Sequence, residues 1–231
     1  MSKPGDLAVY PVAHDRKAGL RPMVNPRSSV DRKEQIVSAA IDRLSAVGFE
    51  GFRVGDVAQD VGINNATLIH HYPSKVALIK AVVERFTKRF EAVADATNTD
   101  GAPRAKLARH MRSSVELMRT SPEMFVVLNE IMIRARRDAE IAHLVSVPLR
   151  AWRQHIVSLL LVPGDESNAD ARSGAEEIAQ ACMAQLLGMG LLLNSTDHAN
   201  SPFETIRDRT ESWAIAALTN LADAKTDYGG R

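Results

Sequence analysis

Disulfide pairs, net charge and long apolar runs are all missing from this chain of 231 residues. The single cysteine, Cys182, excludes an intrachain disulfide framework and fits a reducing compartment. The formal net charge is only +1, so the chain is no polycation, and any contact with nucleic acid must come from a local patch. No apolar run approaches the roughly 18 residues of a membrane span, and the N-terminus has no apolar signal-peptide core. The expectation is a cytoplasmic protein with no membrane association. Alternating apolar and polar residues are absent, as are β-branched runs, so strands are not expected. Catalytic constellations are missing too. His110, His143, His155 and His198 are scattered, with no HExxH, no Cys/His cluster and no Gly-rich phosphate loop, so neither a metal nor a cofactor is expected.

Helical periodicity and helix punctuation are abundant. Residues 1–30 hold Pro4, Pro11, Pro22 and Pro26 and more basic than acidic side chains, which reads as a flexible basic arm or a tail without a role. Asp31-x-x-Glu34 is a capping box, followed by Ile36, Ala39, Ala40, Ile41, Leu44 and Val47 at helical spacing, with Gly48 where a left-handed cap belongs. Short helices follow over about 54–60 and 65–71, separated by Gly62. Pro73-Ser74 precedes a long amphipathic helix from Lys75 to about Ala94. Segment 97–103 is a turn. Ser121-Pro122 opens one later helix, Pro163-Gly164 closes another, Ser173-x-x-Glu176 opens a third and Ser201-Pro202-Phe203-Glu204 a last one. The fold class is all-α, with about nine helices and no internal repeat.

The stretch 61–75, VGINNATLIHHYPSK, carries many polar side chains and no partner for them nearby. Two short helices about a glycine turn suggest a helix-turn-helix. That motif needs a small residue where the helices cross (Ala58), a residue tolerant of positive φ four positions later (Gly62), and apolar anchors (Val54, Val57, Val61, Ile63, Leu68). Burying those anchors leaves Asn64, Asn65, Thr67, His70 and His71 facing outward. Glycine turns between short helices also occur in proteins that bind nothing.

The run from Arg32 to about Val83 resembles the DNA-binding domain of the tetracycline-repressor (TetR) family of bacterial transcriptional regulators. The resemblance lies in Ile36, Ala39, Ala40 and Leu44, in Gly48-Phe49, in VGDVAQDVGI, and in ATLIHHYPSK with Leu78. It implies an N-terminal helix-turn-helix head over 31–77, with helix 4 running on to about 95. It also implies an effector-binding and dimerisation domain over 78–225, and a homodimer on a near-palindromic double-stranded operator. Three departures stand out. Ile69 replaces the family's common tyrosine and cannot donate its backbone contact. Ala66 stands where glycine is usual. Phe52-Arg53 replaces a hydroxyl pair at the start of the second helix, offering a guanidinium for a phosphate.

Groove chemistry assigns the DNA-facing roles. Asparagine can bond adenine N6 and N7 together, so Asn65 is the candidate base reader, with Asn64 helping or capping the helix. Ala66 is placed to touch a thymine methyl. Thr67, His70, His71 and Lys75 suit phosphates, Arg53 stands in for the contact Ile69 lacks, and Tyr72 packs its ring inward with its hydroxyl near the DNA backbone. His71 has a second reading as an oriented helix-end histidine. Residues 31–95 carry nine basic and nine acidic side chains, so placement rather than bulk charge must hold the DNA.

In the C-terminal half, six of the eight methionines occur among scattered apolar residues. They suit either an adaptable effector pocket or ordinary core packing. The expected pocket is bordered by Met111, Met118, Phe125, Leu128, Trp152, Ile156 and Met183, with polar anchors from Arg112, Asn129, His155 or Gln185. Arg134–Ile141, RARRDAEI, reads as a solvated face or helix-end charges. The helices over about 173–193 and 202–222, with Ala179, Cys182, Leu186, Gly188, Met189, Ile206, Trp213, Ala217 and Leu221, either form a four-helix dimer interface or close the monomer core. The reading is a dimeric repressor released by a small, largely apolar effector. An all-helical enzyme and a helical protein-interaction adaptor are the alternatives.

Overall fold

The computed structural model of the chain describes residues 29–97, 100–165 and 167–195, together with residues 209, 212, 213 and 216. The described residues are all-helical, with no strand among them. The basic arm, the last capping box and most of the helix expected over 202–222 lie outside them.

α1 (Ser29–Gly51) begins two residues before the expected cap, which puts Asp31 in the first turn, where a carboxylate meets the positive end of the helix dipole. Ile36, Ala40 and Leu44 line its buried stripe. At Gly48 the helix breaks, with φ 68° and ψ 178°, a conformation that side chains other than glycine resist. The break turns Phe49 and Phe52 back into the core.

α2 (Val54–Val61) and α3 (Asn65–His71) match the expected spans to within one residue. α4 (Lys75–Thr97) runs slightly further than its apolar pattern suggested and ends at Thr97, whose hydroxyl donates to the carbonyls of Val93 and Ala94. α5 (Pro103–Thr120) and α6 (Pro122–Ala135) meet at Ser121, and each has a proline in its first turn, where the missing N–H is harmless. α7 (Ala139–Leu160) is capped by Asp138, which accepts the Ile141 N–H at 3.2 Å.

α8 (Ala169–Ser195) corrects the sequence reading at its start. Asn168, not Ser173, is the cap, accepting the N–H groups of Asp170 and Ala171 at 3.1 Å each. Ser173 therefore falls inside the helix, and Glu176 faces Arg153 of α7 at 3.6 Å instead of closing a box.

One continuous apolar core joins the ends of the molecule. α6 lies at its centre, packed on α1, α7 and α8, while α4 reaches from α1 to α5 and α7. Of the two readings of α8, the one that closes the monomer core holds for Ala179, Cys182, Leu186 and Met189, which are buried there. Gly190 lies so close to Phe125 that an added Cβ would stand 3.0 Å from that ring. The face of α8 left open carries Ala184, Gly188, Leu191 and Leu192. Among the described residues, no helix is long and apolar enough to cross a membrane.

Candidate nucleic-acid interface

Three side chains fix the angle between α2 and α3. Val57 and Leu68 are fully buried, one from each helix, and Ala58 leaves room for the crossing. Gly62 then takes φ 70° and ψ 36° and donates its N–H to the Gln59 carbonyl at 3.0 Å, while Ile63 donates to the Ala58 carbonyl at 2.9 Å. A bidentate ion pair adds a brace: Arg43 of α1 holds Asp60 of α2 through contacts of 2.6–3.0 Å. That pair spans 17 positions, too far for a local sequence pattern to reveal.

The open face of α3 carries Asn65, Ala66, Ile69 and His70, all exposed, with Thr67, His71 and Tyr72 half-buried beside them. Asn64 is the N-cap, its Oδ1 accepting the Thr67 N–H at 2.8 Å, so its side chain is committed to the helix. Asn65 is the free one. Its amide lies 3.6 Å from where a Cβ on Gly55 would stand, an ordinary van der Waals distance from the start of α2. The rings of His70 and His71 meet edge to face at 5.6 Å. Tyr72 packs against the core, and burial raises its hydroxyl's pKa above the ordinary value, with smaller contributions from Glu34 and Glu84.

Two of the expected phosphate ligands turn out to have partners in the chain. Arg53 is the extended residue before α2, and its Nη1 donates to the Glu50 and Phe52 carbonyls at 2.6 and 3.2 Å, leaving the rest of the guanidinium exposed. Lys75 is engaged more fully. Its Nζ donates to the Phe49 and Phe52 carbonyls at 2.9 and 3.2 Å and lies 4.2 Å from the centre of the Phe49 ring. Burial lowers its pKa, and Arg53 adds to the effect. Lys75 thus ties the first turn of α4 to the α1–α2 corner, where the sequence reading had it facing DNA. The reason is reach: a four-carbon stem at the start of α4 finds two inward-facing carbonyls before it finds solvent.

The same corner is gripped from the other side by α6. Glu130 Oε2 accepts the Phe49 N–H at 2.9 Å. One turn on, Arg134 bridges Glu50 at 3.2 Å and Asp138 at 3.3 Å, with its guanidinium 5.5 Å from the Phe49 ring. Arg134, in the last turn of α6, is thus a helix-end charge and also a link between the helix-turn-helix and the α6–α7 corner.

In the C-terminal half, a narrow apolar cleft is lined by residues of α4, α6 and α7. Leu128 and Trp152, both expected at a pocket, line it; Met111, Met118, Phe125 and Ile156 are instead packed in the core. Met183 packs partly buried against that core. Phe86, Phe90, Val145 and Pro148 complete most of the wall, and Phe90 stacks on Trp152 at 5.3 Å. Thr87 is the one polar residue lining it, and its hydroxyl donates to the Val83 carbonyl. His155 lies behind this wall against His110, ring centres 5.1 Å apart, and its Nε2 is buried with no hydrogen bond. His110 accepts the Trp152 indole N–H at 2.9 Å, and burial, with His155 adding, holds its pKa down to about 3. Nothing in the sequence marks this pairing, since the two residues lie 42 positions apart.

Comparison with known proteins places this geometry. The family model described as bacterial regulatory proteins, tetR family, matches residues 36–82, the span of the helix-turn-helix and its supports. The transcriptional regulator RutR of Escherichia coli (strain K12) is 34% identical over 92 residues, 40% of this chain and 43% of RutR. The chain thus aligns with less than half the length of that relative. The transcriptional regulator BetI of Rhizobium meliloti (strain 1021) is 24% identical over 213 residues, covering 90% of this chain and 96% of BetI. A solved transcriptional regulator from Rhodococcus superposes with a TM-score of 0.66 at 18% identity, over 83% of this chain and 96% of that one, a likeness of fold.

Proposed function

Because the chain belongs to the TetR family of bacterial regulatory proteins, we propose that it is a sequence-specific DNA-binding transcriptional regulator. It acts as a homodimeric repressor released by a small, largely apolar effector. Residues 31–77 read DNA, and residues 78–225 bind the effector and pair the subunits. The observation that carries this reading is the exposed face of α3, where Asn65 stands uncommitted while Asn64 caps the helix. A free asparagine at the first turn of such a helix can bond adenine in the major groove.

Ala66 meets a thymine methyl, and Thr67, His70 and His71 hold phosphates with the exposed part of Arg53. Two heads make the operator near-palindromic. The partner chain seats on the open face of α8 at Ala184, Gly188, Leu191 and Leu192, which gives the buried residues of that helix to the monomer and the exposed ones to the dimer. The effector enters the cleft at Leu128 and Trp152, whose lining has no charged side chain and favours an uncharged molecule. By preferring one spacing of the heads, it lowers operator affinity through its unequal affinity for the two states.

A gel shift with the DNA upstream of the chain's own gene tests the proposal. A salt-sensitive shift that survives competition by random DNA is expected. No selective shift at any salt concentration overturns it.

A further inference from the structure

Away from the reading head and the apolar cleft, a second cavity lies where the head meets the body. It opens between α1, α4 and the α5–α6 corner. Its floor is apolar, made of the buried residues Ile41, Phe86 and Met124. Its walls carry both signs of charge: Arg85 and Arg89 from α4, Asp42 from α1 and Glu123 from α6.

Two donors in this wall have no hydrogen bond to another described residue. Ser121 is only 6% exposed, and its hydroxyl neither caps α6 nor bonds any other described residue. Arg85 Nη1 is buried without a hydrogen-bond partner, and its ion pair with Glu34 Oε2 is held at 3.7 Å, beyond hydrogen-bond reach. A buried donor left unpaired is costly, so Arg85 is a standing demand for an oxygen acceptor, and the unbonded Ser121 hydroxyl lies in the same wall.

The remaining wall decides what carries that acceptor. A simple oxyanion would enter beside Asp42 and Glu123 and be repelled. A simple cation would meet Arg85 and Arg89, and an uncharged apolar molecule would leave every polar group unmatched. A carboxylate and an ammonium on one apolar body answer all three parts of the lining. We propose that this junction cleft binds a small zwitterion of the apolar α-amino-acid type. Arg85 and Ser121 receive the carboxylate, Asp42 and Glu123 face the ammonium, and Ile41, Phe86 and Met124 take the side chain. Occupancy bridges α1 of the head to α6 of the body and so shifts the balance between head orientations. That last consequence rests on the regulator reading; binding itself does not.

Calorimetric titration of the full-length chain with L-leucine tests the site. Two matched probes accompany it: 4-methylpentanoate, which lacks the ammonium, and 3-methylbutylamine, which lacks the carboxylate. One leucine per chain is expected, with each analogue at least tenfold weaker and Ser121→Ala and Arg85→Gln each weakening leucine about tenfold. Should Arg85→Gln melt early through loss of its Glu34 contact, Ser121→Ala carries the test, since it removes a hydroxyl that bonds nothing. Absence of leucine binding at millimolar concentration overturns the site. So does equal binding of 4-methylpentanoate, which marks a plain anion site, or undiminished binding by both variants, which moves leucine elsewhere. A gel shift with and without leucine reads the consequence: operator affinity should change in the parent and not in Ser121→Ala. Leucine binding with unchanged operator affinity removes the bridging role, and a chain that binds leucine but no DNA removes the regulator reading instead.

Discussion

Glu130 of α6 accepts the backbone N–H of Phe49 at 2.9 Å, immediately beyond the Gly48 break in α1. The contact joins residues 81 positions apart and fastens the reading head to the body at the one place where α1 changes direction. Removing the carboxylate leaves a part-buried N–H unpaired. Glu130→Ala should lower stability by about 1–3 kcal/mol in urea unfolding, and Glu130→Gln, which keeps an acceptor, by less. Gly48→Ala should be as damaging. Its Cβ would stand 2.9 Å from Glu130 Oε2 at a φ of 68°, where alanine is strained. An unchanged unfolding midpoint for both Glu130→Ala and Gly48→Ala would show the corner to be slack.

The two adjacent asparagines should behave differently. Asn65→Ala is expected to cost about 1–3 kcal/mol on operator DNA and relax the preference at one base position, with random DNA little affected. Asn64→Ala removes a helix cap and should cost about 1 kcal/mol of stability, weakening operator and random DNA alike. Binding measured on both kinds of DNA separates the roles, and the reverse pattern would exchange them.

Lys75 should matter to folding more than to DNA. Lys75→Met removes two hydrogen bonds from a part-buried ammonium and should cost about 1 kcal/mol of stability. The slope of operator affinity against salt should stay the same. A slope shallower by about one charge would mean that the ammonium leaves its carbonyls to meet a phosphate.

His110 builds in a pH dependence. Its folded pKa is lowered to about 3 against an ordinary 6.5, so the unfolded chain takes up the proton first as pH falls. Its contribution is complete above the unfolded value and is lost as pH drops from 6.5 towards about 3. At about 1.4 kcal/mol per pH unit, roughly 2 kcal/mol should vanish by pH 5. His155, also lowered by burial, acts in the same direction. In His110→Gln, which keeps an acceptor for the Trp152 indole, urea unfolding at pH 7 and pH 5 should differ less than in the parent.

Gly188 gives a clean test of the dimer face, because an added Cβ there meets nothing within 4 Å in the monomer. Gly188→Arg should leave the helical fold intact and stabilise α8 locally by up to about 1 kcal/mol. It should also convert a dimer to a monomer in analytical ultracentrifugation and weaken operator binding. A variant that sediments like the parent would place the interface elsewhere.

Local chemistry was legible in the sequence wherever it acts over a few residues. The periodic apolar stripe of α1, the glycine breaks at 48 and 62, the proline starts of α5 and α6, and the span of α3 follow from caps, turns and helical spacing, which neighbours along the chain decide. The competition between Asn168 and Ser173 for the start of α8 was not legible, since both are good caps and nothing in their spacing ranks one above the other. Tertiary structure alone decided which polar groups are spent internally. Lys75 bonds carbonyls of the α1–α2 corner, Arg134 and Glu130 reach back across the chain, and the Met111–Met118 side of the expected pocket fills the core while Leu128 and Trp152 line a cleft. It also gave the apolar stripe of α8 to the monomer, leaving only the face at Gly188 open. Such choices depend on which surfaces meet after helices pack, and the spacing of residues within one helix carries no record of the neighbour that will cover it.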